Sequence, residues 1–177
     1  GIVNTSATAT VAGGTLKIGD SVVSQVQTFN SLTLSGTSVL DFGNGGGLSG
    51  NNQLVITNGA SSFAGALKIY NWTGSIYAPT TLTDDGTFAQ DRLLFGTSTG
   101  WTTGQLANIT FYSDSGMNAI GFGAAEINFT GGGPSFEIVP VPEPATTALI
   151  GSVALCALIG YRERRRFAGV RSRGARK

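Results

Sequence analysis

Residues 145–161 run for 17 positions without a charge, and four arginines, Arg162, Arg164, Arg165 and Arg166, follow within five positions. As a helix this stretch spans roughly 25 Å, at about 1.5 Å per residue. That is at the short end of what crosses a hydrocarbon core of about 30 Å. A helix packed on a soluble core keeps a polar face, whereas this one is apolar all round. Thr146, Thr147 and Ser152 fit, because a helical hydroxyl can bond the carbonyl one turn back. Pro142 and Pro144 lie just ahead, and proline resists a helix interior, so the helix starts after Pro144. The expectation is a single C-terminal transmembrane helix. Its position, and the order of apolar run before basic cluster, exclude a secretory signal peptide.

The charge distribution sets the orientation. Residues 1–144 carry Lys17, Lys68 and Arg92 against nine acids, a net of −6, while residues 145–177 carry eight bases against Glu163, a net of +7. Basic residues flanking a span stay cytoplasmic, so the bulk of the chain is expected outside the cytoplasm. Anionic lipid is the natural partner of the tail. Nucleic acid is not, since no aromatics beyond Phe167 are interleaved with the bases. The chain opens with Gly1-Ile2-Val3-Asn4, with neither an initiator Met nor an apolar leader, so an export signal upstream is expected.

Val141-Pro142-Glu143-Pro144-Ala145-Thr146, the apolar run and the arginine cluster together resemble the PEP-CTERM sorting signal. The resemblance implies an exported protein of a Gram-negative bacterium, often one that makes exopolysaccharide. It implies an exosortase, an integral-membrane cysteine protease, as processing partner. By position, Pro142, Glu143 and Pro144 would be the recognition motif. Residues 145–161 would be a transient anchor in the lipid bilayer, and Arg162, Arg164, Arg165 and Arg166 the retention cluster. The implied organisation is an exported β-rich domain over 1–139, a proline-rich spacer over 140–144, the helix, and a basic cytoplasmic tail over 162–177.

The rest of the chain offers little chemistry. There is no histidine, which removes the commonest general base and metal ligand and any Ser-His or Cys-His pair. The single cysteine, Cys156, lies inside the predicted helix, so neither an intrachain disulfide nor a Cys/His zinc site can form. Residues 45–50 fit G-x-G-x-x-G, but Asn51-Asn52-Gln53 and a strand follow where a nucleotide site needs a helix. Asp84-Asp85-Gly86 lacks calcium-loop spacing and reads as a turn. Asp91 and Glu126 could in principle form a glycosidase pair, though nothing in the sequence places them together. No catalytic residue, metal or cofactor is expected.

Short apolar–polar alternations give the fold class, because a period of two buries one face of a strand. Leu16 and Ile18 flank Lys17; Leu32 and Leu34 are interleaved with Ser31, Thr33 and Ser35; Leu40 and Phe42 flank Asp41. Leu54 and Ile56, then Leu67 and Ile69, repeat the pattern. Glycine and asparagine clusters separate them, since both tolerate positive φ. The pairs that begin at Leu16, Leu32, Leu54 and Leu67 recur at irregular intervals. That suits β-solenoid coils of roughly 20 residues each, and equally a β-sandwich. Residues 31–57 resemble autotransporter-associated β-strand repeats. Further strands are expected at 67–72, 92–95, 109–112, 126–129 and 136–139, with a capping box from Thr102 to Gln105 opening a helical turn through Ala107. The strings 91–96 and 105–111 resemble the segment that precedes the sorting signal in many such proteins, and suggest a cap on the solenoid.

The fold expected is thus all-β, partly β-solenoid or β-sandwich, ahead of one transmembrane helix. The function expected is an exported envelope protein with a structural or adhesive role, exosortase and the bilayer as partners, and exopolysaccharide as a possible third. The alternative is a polysaccharide-binding module or glycan-active enzyme in which Trp72 and Trp101 stack on sugars, against their use as core residues.

Overall fold

A computed structural model describes residues 3–19, 24–43, 52–58, 62–74, 83–84 and 90–141. The elements are β1 (Val3–Ala12), β2 (Thr15–Lys17), β3 (Val26–Asp41), β4 (Gln53–Ile56), β5 (Ser62–Tyr70), β6 (Thr83–Asp84) and β7 (Arg92–Phe95). They continue with α1 (Thr103–Ala107), β8 (Ile109–Tyr112), β9 (Ala119–Phe122), β10 (Ala124–Phe129) and β11 (Phe136–Pro140). All strands belong to one sheet, in the order β6-β10-β11-β7-β4-β3-β5-β8-β9, with β1 and β2 on β3. The sheet curls into a nearly closed, barrel-like form.

The first half stacks in parallel. Val26 of β3 pairs with Gln53 of β4, and Gln53 in turn with Arg92 of β7. On the other side of the bend in β3, Leu40 pairs with Ile69 of β5, and Leu67 of β5 with Ile109 of β8. Parallel pairing of this kind is not that of a sandwich of antiparallel hairpins. The coils are longer than the leucine spacing suggests, because each carries two straight segments and a corner, joined in β3 into one bent strand.

Alternation decides which side chains face inward, and stacking puts like on like. Leu16, Leu40, Ile69 and Phe111 form one ladder across β2, β3, β5 and β8. Phe29, Ile56, Phe95 and Phe136 form another across β3, β4, β7 and β11. Leu40, Ile69, Phe111, Ile56 and Phe95 are fully buried. Neighbouring rungs lie about 4.8 Å apart, so each apolar side chain meets the one above and the one below.

Stacked glycines turn one corner. Gly13 between β1 and β2, Gly36 inside β3 and Gly65 inside β5 all have positive φ (69°, 63° and 115°). Gly36 pairs with Gly65. A Cβ on Gly65 would run into the Gly36 carbonyl. This is why the two alternations around Leu32 and Leu40 join into one bent strand of 16 residues. At a second corner the buried Asn52 links its own coil to the backbone on either side of β3 and to Asp91 of the next coil. Its Nδ2 donates to the Phe42 carbonyl (2.6 Å), its Oδ1 accepts from Gln25 N (2.9 Å), and its own N–H donates to Asp91 Oδ1 (3.0 Å).

The far end is covered by antiparallel strands: β9 on β8, and β11 between β7 and β10. Residues 91–96 and 105–111, expected as a cap, instead contribute to the last parallel coil; the covering strands lie downstream. Helix α1 begins at the expected capping box, with Thr102 Oγ1 accepting from Gln105 N (3.2 Å) and Gln105 Oε1 from Thr102 N (2.8 Å). No helix among the described residues is long and apolar enough to cross a membrane. The predicted span, residues 145–161, lies outside them.

Two glycine-to-alanine substitutions should act in opposite directions. Gly65→Ala meets backbone and a positive φ, and should destabilise by about 2 kcal/mol or more. Gly104 is helical, and its nearest neighbour to a new Cβ is Thr102 Oγ1 at 3.9 Å. Gly104→Ala should therefore stabilise by about 0.5–1 kcal/mol. Denaturant midpoints of the two variants against wild type check both signs.

Candidate sorting site and its junction with the domain

β11 joins the domain to everything downstream. It runs antiparallel to β10, from Phe136 opposite Asn128 to Pro140 opposite Ala124. On its other edge it meets β7 only at Phe136 and Glu137. Ile138 and Val139 are fully buried, and Pro140 is buried at the strand's end. Proline offers no N–H to a ladder, which suits the last position of a strand. A Cβ on Gly121 would lie 2.7 Å from the Pro140 Cβ, so the glycine makes room for the ring. Val141, half-buried, is the last described residue.

Two polar clusters hold this end. Arg92 of β7 and Glu137 of β11 form an ion pair at 3.0 Å with both side chains buried. The Arg92 guanidinium also lies 4.9 Å from the centre of the Phe129 ring of β10. Removing one partner of such a pair strands a charge in the interior, at a cost of about 3–5 kcal/mol. Glu126 of β10 accepts from Ser98 Oγ (2.6 Å), Thr99 N (2.8 Å) and Thr99 Oγ1 (2.5 Å), tying the β7–α1 loop to the covering strands. The ion pair was not anticipated. Its signal was present, since Arg92 is one of three bases before residue 144 and Glu137 interrupts the apolar run of β11.

The candidate chemistry disperses. Asp91 is buried and accepts from Asn52 N (3.0 Å), Thr73 N (2.9 Å) and Thr73 Oγ1 (2.8 Å). None of these partners is shared with Glu126, and both carboxylates are engaged in structural bonds. Trp72 and Trp101 are 2% and 8% exposed, too little to offer a sugar a ring face. Trp72 packs edge-on to Phe42 and Phe111, with centroids at 5.1 Å in both pairs. Trp101 meets Phe63 at 5.2 Å and Phe95 at 5.4 Å. Among the described residues no group of His, Cys, Asp and Glu could hold a metal. Residues 45–50 and 85–86 lie outside the described residues, and the side chain of Asp84 is not described.

Pro142, Glu143 and Pro144, the arginines at 162 and 164–166, and Cys156 also lie outside the described residues. Their assignment rests on comparison with known proteins. Residues 140–166 match the PEP-CTERM protein-sorting motif. A PEP-CTERM motif indicates an exported, envelope-directed protein that an exosortase processes. The match begins at Pro140, the residue on which β11 ends. No curated protein and no solved structure matches the chain.

Burial pushes the Asp91 carboxyl above the usual carboxylate range, against hydrogen bonds from Thr73 and Asn52 that pull it down. The folded protein therefore takes up this proton at a higher pH than the unfolded chain does. Its contribution to stability is full below the unfolded pKa and is lost as pH rises through the folded one. Wild type should gain stability relative to Asp91→Asn as pH falls from neutral toward about 4. Urea midpoints of the two proteins across that range check this, and parallel curves would contradict it.

Proposed function

We propose that this protein is an exported cell-envelope protein of a Gram-negative bacterium that delivers an all-β domain to the cell surface or the extracellular matrix. The observation that carries the reading is the PEP-CTERM match over residues 140–166, placed directly behind the last strand of the domain. In this reading residues 145–161 hold the chain in the bilayer during export, with the arginines on the cytoplasmic side. An exosortase then recognises Pro142, Glu143 and Pro144 and releases the anchor.

The delivered domain is not a catalyst in this reading. Its role is structural or adhesive, with exopolysaccharide as the matrix around it. The parallel coils of β3, β4 and β5, and the resemblance of residues 31–57 to autotransporter-associated repeats, support a passenger-like surface role. The engagement of Asp91 and Glu126 in structural bonds, and the burial of both tryptophans, speak against the polysaccharide-enzyme alternative.

Expression of the full chain with and without exosortase tests the reading, with mass spectrometry of the C-terminus as the readout. A shortened chain is expected only in the strain with the enzyme. Glu143→Ala should abolish shortening while leaving membrane insertion intact. A chain ending at Lys177 in both strains would sink the reading.

A further inference from the structure

The domain and the motif are contiguous: β11 ends at Pro140, and only Val141 precedes Pro142. An extended chain advances at most about 3.6 Å per residue, so Glu143 cannot lie more than about 11 Å from Pro140. A peptidase commonly holds its substrate as an extended segment, pairing the enzyme's backbone with the substrate's on either side of the bond it attacks. Upstream of the motif, the residues available for such pairing are 138–141. Residues 138–140 already pair with Glu126, Ala125 and Ala124 of β10, and their side chains are buried. While these side chains stay buried in the sheet, no enzyme can take the strand as its own.

The same three residues have the fewest ladder partners in their strand. β7 pairs with Phe136 and Glu137 only, so residues 138–140 are held along one edge. The Arg92–Glu137 ion pair pins the strand just upstream. Opening from the C-terminal end therefore has a natural stopping point at Glu137, and it brings Ile138 and Val139 out of the interior. Partial openings of this kind are sub-global excursions of a folded domain, less costly than unfolding it whole.

We propose, resting on the sorting reading above, that the membrane peptidase engages residues 138–141 as well as the motif. The end of β11 must then leave β10 before the chain is processed. The folded domain and the enzyme compete for one strand, and the rate of processing follows the population in which that strand end is open.

The test is a pulse-chase of the full-length chain in cells containing exosortase, following loss of the C-terminal segment. A short Gly/Ser insertion between Val141 and Pro142 supplies unpaired backbone next to the motif. It leaves the fold, and the spacing from Pro142 to Arg166, unchanged. This variant should be processed on the order of tenfold faster than wild type. Gly121→Ala, whose new Cβ would press on Pro140, should also be processed faster. Adding Glu143→Ala to the insertion should return processing to zero, tying the gain to the motif. Glu143-dependent processing of wild type, with the insertion variant equal or slower, overturns the competition and leaves the sorting reading standing. If wild type and insertion variant both stay intact while another substrate of the same enzyme matures in those cells, both readings fall.

Discussion

A single coil of a parallel stack has nowhere to hide its apolar face, and that constraint governs this domain. Leu40 is dry only because Leu16 lies on one side of it and Ile69 on the other; Ile56 depends in the same way on Phe29 and Phe95. Each rung is stabilised by its neighbours, and an end rung needs something different to cover it. The covering strands β9, β10 and β11 meet that need by running antiparallel, which ends the parallel stacking at β7 and β8. The corners follow from the same requirement. The turn needs positive φ at Gly13, Gly36 and Gly65, which sit one above another, and at Gly65 the stacked backbone also leaves no room for a Cβ.

The polar interior follows from this packing too. Coils that turn inside a stack bury backbone groups, and each must find a partner or cost about 1–3 kcal/mol. Asn52 and Asp91 answer for one corner, linking Gln25, Phe42 and Thr73 across three coils. Arg92 and Glu137 do a related job between the last coil and its cover. These carboxylates are committed to holding backbone and cover in place. A chain with few charges spends several of them on structure.

Much of the strand pattern was legible. The segments 92–95, 109–112 and 136–139 fall on β7, β8 and β11, and the Thr102–Gln105 box opens α1. Local rules suffice for these, since alternation and a capping pair act within a few residues. β1 was missed because its inward positions are small, with Ala9 and Val11 in place of leucines. The coil length was misjudged because spacing between leucines counts strands along the chain. The true repeat runs from Val26 to Gln53 and from Leu40 to Ile69, the latter passing over β4.

The sequence by itself determined the strand faces, the exclusion of histidine and cysteine chemistry, and the order of motif, apolar run and arginines that marks the chain for sorting. Each is a property of residue type and near-neighbour spacing. Only the tertiary structure decided that the strands stack in parallel, that Trp72, Trp101, Asp91 and Glu137 are interior, and that the last strand ends where the sorting motif starts to match. Alternation says which way a side chain points and leaves open which strand lies beside it. That choice is made by contacts between residues as distant in the chain as Val26 and Gln53 or Leu67 and Ile109, through burial that no local pattern records.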